Sequence, residues 1–150
     1  MRRYTVDAMV PALSSSEHRR LLAVSLRARE RVVRAVFRSG SGHVGAALSQ
    51  CDALVALYER HLRLDPARLD DPARDRFVLS KGHGGLGLAA VLVERGILTQ
   101  AQLDSFGESA SPIGMHMDHR KVPGIEAATG SLGHGLGIAV GMALGARVQG

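Results

Sequence analysis

An α/β domain is the fold class this sequence predicts, and three observations predict it. Most of the chain divides into segments whose apolar residues recur at helical spacing. One short run, Arg76-Phe77-Val78-Leu79-Ser80, is apolar in its middle like a buried parallel strand. That run feeds Lys81-Gly82-His83-Gly84-Gly85, a glycine turn that opens the next helix. A strand, a tight turn and a helix in that order form the arrangement that places ligands at the carboxyl edge of an α/β sheet.

The elements follow in order. Ser14-x-x-Glu17 has the form of a capping box, and Leu22, Leu26, Val33, Val36 and Phe37 fall on one helical face before Ser39-Gly40 stops the pattern, so a helix is predicted over about residues 16–38. After the loop Ser41-Gly42-His43-Val44-Gly45, Ser49 with Asp52 three residues on is expected to open a second helix. It carries Leu54, Val55, Leu57 and Tyr58 and ends near His61. From Asp65 to Asp75, two prolines and four aspartates mark an exposed connection. The strand at 76–80 comes next, then a helix from Leu86 to Arg95 closed by Gly96. Thr99-x-x-Gln102 caps a short helix ending at Gly107, residues 108–131 read mostly as loop, and Leu132 to Val148 forms a last, glycine-rich helix. Residues 1–15 are expected to be a flexible N-terminal segment. A lone buried strand would leave its backbone groups unpaired, so the chain reads as the opening part of a larger α/β domain.

Composition removes several function classes. The net charge of +5 reflects 19 Lys and Arg against 14 acids spread along the chain, and aromatics make up only 3% of it. Nucleic-acid binding calls for a basic stripe with stacking aromatics, so that class is excluded, whereas attraction of small anions such as sugar phosphates fits. The one cysteine, Cys51, excludes an internal disulfide framework and fits a reducing cytosol. Asp7 and Pro11 interrupt any apolar run a signal peptide needs, and no stretch reaches the roughly 20 apolar residues of a membrane span. The expectation is a cytoplasmic protein with neither nucleic acid nor membrane as partner.

Chemistry concentrates in three glycine-flanked places: His43, His83, and the loop Pro-Gly-Ile-Glu-Ala-Ala-Thr-Gly-Ser-Leu-Gly-His-Gly-Leu-Gly at 123–137. Glycines let a backbone approach a ligand closely, and a helix N-terminus adds a field favourable to phosphate. His83, directly after a strand, has the placement of a ligand residue, with a solvated loop histidine as the alternative. For His43 the alternative is a capping turn in which glycine is needed and histidine incidental. Met115-His116-Met117-Asp118-His119 approaches the binuclear hydrolase pattern His-x-His-x-Asp-His, but the first histidine falls on Gly114, and tight divalent sites need three or four donors. Glu126 has no visible acid or base partner and reads as structural.

Taken together, Ser-Gly-His-Val-Gly at 41–45, Arg-Asp-Arg-Phe-Val-Leu-Ser-Lys-Gly-His-Gly at 74–84, Met-His-Met-Asp at 115–118 and Pro-Gly-Ile-Glu-Ala-Ala-Thr-Gly-Ser-Leu-Gly-His-Gly at 123–135 resemble the N-terminal domain of transketolases. The motifs are collinear and span about residues 20–150, and the likeness is greatest to the N-terminal subunit of split transketolases. The resemblance implies a three-layer α/β/α thiamine-diphosphate-binding fold, of which this chain is the mostly helical N-terminal part. It implies transfer of a two-carbon ketol unit from a ketose or ketose phosphate to an aldose or aldose phosphate, with thiamine diphosphate between two domains as the electron sink.

Carried over by motif, His83 bonds the diphosphate, and Gly130, Ser131 and Leu132 contact the cofactor through backbone. His43 and His116 face the substrate and stabilise a developing oxyanion, while His134 is structural support. Val44 and Met117 stand where many members have proline, and Met115 replaces a common glycine, so the acceptor side of the pocket is reshaped. The family's Gly-Asp-Gly segment and asparagine, which hold Mg²⁺ and the diphosphate, are expected beyond residue 150. The activating glutamate is expected on a pyrimidine-domain (C-terminal) partner subunit, in a homo- or hetero-oligomer, without which the chain is inactive. Two other readings stand beside this one. The first is a non-catalytic assembly or regulatory fragment of the same fold, which the reading frame after Gly150 would discriminate. The second is the metal-dependent hydrolase, which a metal analysis would discriminate.

Overall fold

A computed structural model describes residues 12–149. The segment expected to be a flexible N-terminus lies mostly outside the described residues, but Ser14 and Ser15 are within them. The elements are α1 (Ser15–Ser39), α2 (Val44–Leu48), α3 (Cys51–Ala56) continued by a π-turn (Leu57–His61), a 3-10 turn (Gly82–Gly84), α4 (Gly85–Glu94), α5 (Gln100–Asp104) and α6 (His134–Gln149).

Helix α1 starts and stops where its local chemistry says. Ser14 caps it, its Oγ accepting the Glu17 N–H at 3.2 Å. Gly40 at φ 66 ends it, returning its N–H to the Val36 carbonyl at 2.9 Å. That left-handed position is cheap for glycine alone. The buried face differs from the expected one. Val24, Ala28, Val32 and Ala35 point inward, while Leu22, Leu26, Val33 and Phe37 are exposed at 47%, 58%, 50% and 87%. The cause is the partner: α4 begins Gly85-Leu-Gly87-Leu-Ala89-Ala90, and every residue from Gly85 to Leu92 is buried. A helix apolar all round belongs in the core. A small-residue seam on α1 lets two backbones approach where large side chains would hold them apart.

A short helix that the sequence did not announce precedes the expected second one. It begins at Val44, with His43 as its N-cap, because Ala47 and Ser49 donate their amides back to the His43 and Gly45 carbonyls at 3.0 and 3.1 Å. Ser49 is therefore the break between α2 and α3, and the expected helix starts two residues on, at Cys51, carries Leu54, Val55, Leu57 and Tyr58, and ends at His61 as expected. Asp52, expected as an N-terminal capping partner, instead receives the Arg29 guanidinium at 2.7 and 2.8 Å and the Ser25 hydroxyl at 2.5 Å. Those bonds, Arg29 foremost, hold its carboxyl down at about 2. Cys51 is buried with its thiol on the Ala47 carbonyl at 3.3 Å.

No strand ladder forms among the described residues, so the expected strand at 76–80 is an extended segment and not a sheet member. A strand is completed by a neighbour's N–H and C=O groups, and none of the described segments supplies a ladder. Its side chains still alternate. Phe77 and Leu79 pack on the helical core, Phe77 edge-on to Tyr58 with ring centroids 5.7 Å apart, while Val78 faces a cleft lined by Ala139 and Met142 of α6. Helices α1–α5 thus lie on one side of the extended segment and α6 on the other, the layering of an α/β/α fold.

Helices α4 and α5 meet expectation: Gly96 at φ 71 follows α4, and Thr99 with Gln102 forms the complete capping box of α5. Residues 108–131 are irregular, as expected, and are pinned by buried Ile113, Met117 and Val122. Helix α6 leaves Leu136, Val140, Leu144 and Val148 exposed along one stripe. No helix among the described residues is long and apolar enough to cross a membrane.

Candidate functional site

His83 occupies the 3-10 turn between the extended segment and α4, and its two glycine neighbours are required by what they touch. A Cβ on Gly82 would lie 2.0 Å from the Thr129 carbonyl oxygen, and one on Gly84 would lie 2.5 Å from Gln50 Nε2. Gln50 Nε2 donates to the Gly84 carbonyl at 2.5 Å, so the break after α2 places a side chain that locks this turn. Beside it, Lys81 Nζ donates to Ser49 Oγ at 2.8 Å. The α2–α3 junction and the His83 turn are thereby one unit.

His43 arrives from the other direction. Gly42 at φ 139 brings the chain round the end of α1, where a Cβ would meet Val36 Cγ2 at 2.9 Å, and His43 then caps α2. Its ring stands edge-on to that of His83, with centroids 5.5 Å apart and planes at 67°. His43 is exposed and His83 half-buried.

The glycine loop closes the arrangement. Thr129 is buried, its hydroxyl donating to the Leu79 carbonyl, and Gly130 follows with open space where a side chain would be. The nearest atom to that space is His116 Nε2, at 4.0 Å. Gly130, Ser131, Leu132 and Gly133 are exposed, and His134 and Leu136 donate their amides to the Ser131 and Gly133 carbonyls at 3.1 Å each, so the turn runs directly into α6. Gly135 seats α6 on the strand-like segment: its N–H reaches Ser80 Oγ at 3.1 Å, and a Cβ there would lie 2.7 Å from Ser80 Cα.

The structure therefore brings His43 to His83 and His116 to Gly130, and the packing of Gly82 on Thr129 joins the two pairs. His134 stays exposed at the start of α6. Asp118 is held by Arg120, whose guanidinium at 2.9 and 3.1 Å keeps that carboxyl at about 2. Among the described residues, no three His, Cys, Asp or Glu side chains converge as a metal site.

Sequence reasoning missed three groups. Gln50 and the Lys81–Ser49 pair carry no local signature, because each acts on a partner more than thirty residues away. Glu126 read as structural with no visible acid or base partner, and the sequence did not show the two arginines that hold it: Arg74 Nη1 donates to its Oε1 and Arg76 Nη1 to its Oε2 at 3.1 Å.

Comparison with known proteins identifies the family and the fold. Residues 20–149 match the family described as transketolase, thiamine diphosphate binding domain. The chain is 42% identical over 121 residues to the 6-deoxy-6-sulfo-D-fructose transketolase subunit of Clostridium sp., covering 81% of this chain and 44% of that protein. It is 44% identical over 109 residues to one of the apulose-4-phosphate transketolase subunits of Actinobacillus succinogenes, covering 73% and 40%. It thus spans less than half the length of these curated relatives. The crystal structure of transketolase from Pichia stipitis, in complex with sedoheptulose 7-phosphate, superposes with a TM-score of 0.73 at 36% identity, over 83% of this chain and 18% of that one. The helical layer, the strand-like segment that feeds the His83 turn, and the glycine loop at the start of α6 are thus the N-terminal part of a known fold, and the chain belongs to the transketolase family, in its thiamine diphosphate binding domain.

Proposed function

We propose that this chain supplies the diphosphate-binding face of a thiamine-diphosphate-dependent transketolase that moves a two-carbon ketol unit between sugars or sugar phosphates. A partner subunit carrying the pyrimidine domain completes the site. Thiamine diphosphate, when bound, provides the electron sink for breaking and making the carbon–carbon bond.

The observation that supports this reading is the approach of the His43 and His83 rings to 5.5 Å and of His116 to the open space at Gly130, the two pairs being joined where Gly82 packs on Thr129. The donor set suits a diphosphate. An imidazole and a lysine sit in the turn before α4, exposed amides lie in the turn before the sixteen-residue α6, and a helix N-terminus favours negative charge. Gly130 leaves space where a side chain would otherwise stand beside His116.

In this reading His83 holds the diphosphate, and Gly130, Ser131 and Leu132 support the cofactor through their backbone. His43 and His116 hold the oxygens of the sugar and donate to the charge that develops on its carbonyl oxygen. Mg²⁺ is held by residues outside this set. The oligomer is formed with the partner subunit, and the single, buried Cys51 suits a cytoplasmic setting.

The test is His83→Ala in the natural polypeptide that carries these residues, paired with its partner subunit. Loss of one charge-assisted hydrogen bond is expected to weaken thiamine diphosphate binding by about ten- to hundredfold. Unchanged affinity by calorimetry would remove His83 from the site.

A further inference from the structure

Glu126 is the most buried carboxylate beside the site, and the proposed chemistry does not use it. Its side chain is 6% exposed and that of Arg74 is 9% exposed, while Arg76 is 41% exposed. Arg74 is itself fixed by backbone, with Nε on the Leu69 carbonyl at 2.6 Å and Nη1 on the Asp75 carbonyl at 3.2 Å. Both oxygens of Glu126 are therefore taken by guanidinium groups from the segment that leads to the His83 turn. Burial pushes the nearby Tyr58 hydroxyl well above its usual range, and the Glu126 carboxylate adds to that shift. The carboxylate is thus part of the packed interior.

The position of this cluster in the chain matters. Glu126 lies fifty residues from Arg76 and three residues before Thr129, whose hydroxyl holds the Leu79 carbonyl and whose own carbonyl meets Gly82. The segment 126–129 is therefore fastened to 74–82 at three points, and the first two residues free of it are Gly130 and Ser131. Glu126, Thr129, Gly82 and Met117 line one small enclosed space, so the fastening lies directly beneath the backbone that carries His83 and His116.

We propose that Glu126, clamped by Arg74 and Arg76, is a positioning residue that fixes the Gly130–Leu132 turn against the His83 turn and so pre-organises the face that receives the diphosphate. This rests on the cofactor reading given above. Two loops with different partners hold one ligand more tightly when their spacing is set before it binds; otherwise each binding event carries the ordering cost. An Arg–carboxylate pair suits that task, since its bonds are directional and its buried charges tolerate no other arrangement.

The experiment pairs the natural polypeptide with its partner subunit; it compares wild type, Glu126→Gln, Arg76→Gln and His83→Ala. Thiamine diphosphate affinity is measured by calorimetry well below each melting temperature, and kcat at saturating cofactor is measured alongside. Glu126→Gln keeps the side-chain volume and is expected to weaken cofactor affinity about tenfold, with kcat at saturation within a few-fold of wild type. Arg76→Gln leaves the buried Arg74 pair intact, and is expected to weaken affinity about threefold with little change in melting temperature; it decides the matter if Glu126→Gln does not fold. A folded Glu126→Gln that melts earlier but binds the cofactor like wild type would show a merely structural carboxylate and overturn the proposal. Unchanged affinity in Arg76→Gln would do so where Glu126→Gln does not fold. Weakened binding in His83→Ala beside normal binding in Glu126→Gln would defeat the clamp alone. Absence of binding in wild type, or normal binding in His83→Ala, would defeat the cofactor reading, and with it this one.

Discussion

His43 and His116 are placed by different routes, one as the cap of α2 and one from a loop pinned by buried Ile113 and Met117. If both hold substrate and not cofactor, their alanine variants should bind thiamine diphosphate almost normally and lose about a hundredfold or more in kcat/KM. If instead the histidines only order their loops, cofactor binding and stability would fall together with activity, so all three quantities need measuring on each variant. Gly82 gives a second expectation at this scale. A methyl group there would sit 2.0 Å from a backbone oxygen, which cannot swing away as a side chain can. Gly82→Ala should therefore cost roughly 1–3 kcal/mol by denaturant melts and weaken cofactor binding with it. A variant as stable as wild type would mean that the 129–130 backbone yields freely. The histidines and this glycine were legible in the sequence because they stand in short glycine-rich motifs, although what they meet, His83 for His43 and Thr129 for Gly82, lies forty or more residues away. Glu126 was not, since its arginines are fifty and fifty-two residues away and no periodicity links them.

Among the elements, helix ends were more legible than helix faces. Ser14, Gly40, Gly96 and the Thr99–Gln102 box act through bonds within four residues, so sequence alone locates them. The inward face of α1 depends on α4. A count of large apolar residues favours Leu22, Leu26 and Phe37, whereas packing against a glycine- and alanine-rich helix selects Ala28 and Ala35. The strand at 76–80 has the right alternation but no ladder among the described residues, because pairing belongs to neighbours and not to the segment itself. The link between α1 and α3 carries a pH dependence. The carboxyl of Asp52 sits at about 2, below its ordinary value of 3.8, so its pair with Arg29 and Ser25 stabilises the fold above about pH 4 and is lost as pH falls towards 2. Asp52 is 72% exposed, which keeps the effect below about 1 kcal/mol. Asp52→Asn should thus be slightly less stable than wild type at pH 7 and converge with it as pH falls through about 2. A difference that persists at low pH would point to packing in place of charge.

For the whole molecule, the layering explains why the candidate site is an open face and not a closed pocket. Helices α1–α5 form one layer, α6 the other, and the histidines and the glycine turn lie where the strand-like segment passes between them. The chain spans less than half the length of these curated relatives. In the function proposed above, this face works with a pyrimidine-domain partner in ketol transfer. The most direct test is to mix the natural polypeptide with that partner, thiamine diphosphate, Mg²⁺, a ketose phosphate and an aldose phosphate, and to follow the chain lengths of the sugars. One sugar is expected to lose two carbons and the other to gain two, omission of the cofactor or the partner to abolish the exchange, and His43→Ala to slow it about a hundredfold. Exchange that continues without thiamine diphosphate, or none by a complex shown to hold it across a panel of ketose and aldose substrates, would contradict the account.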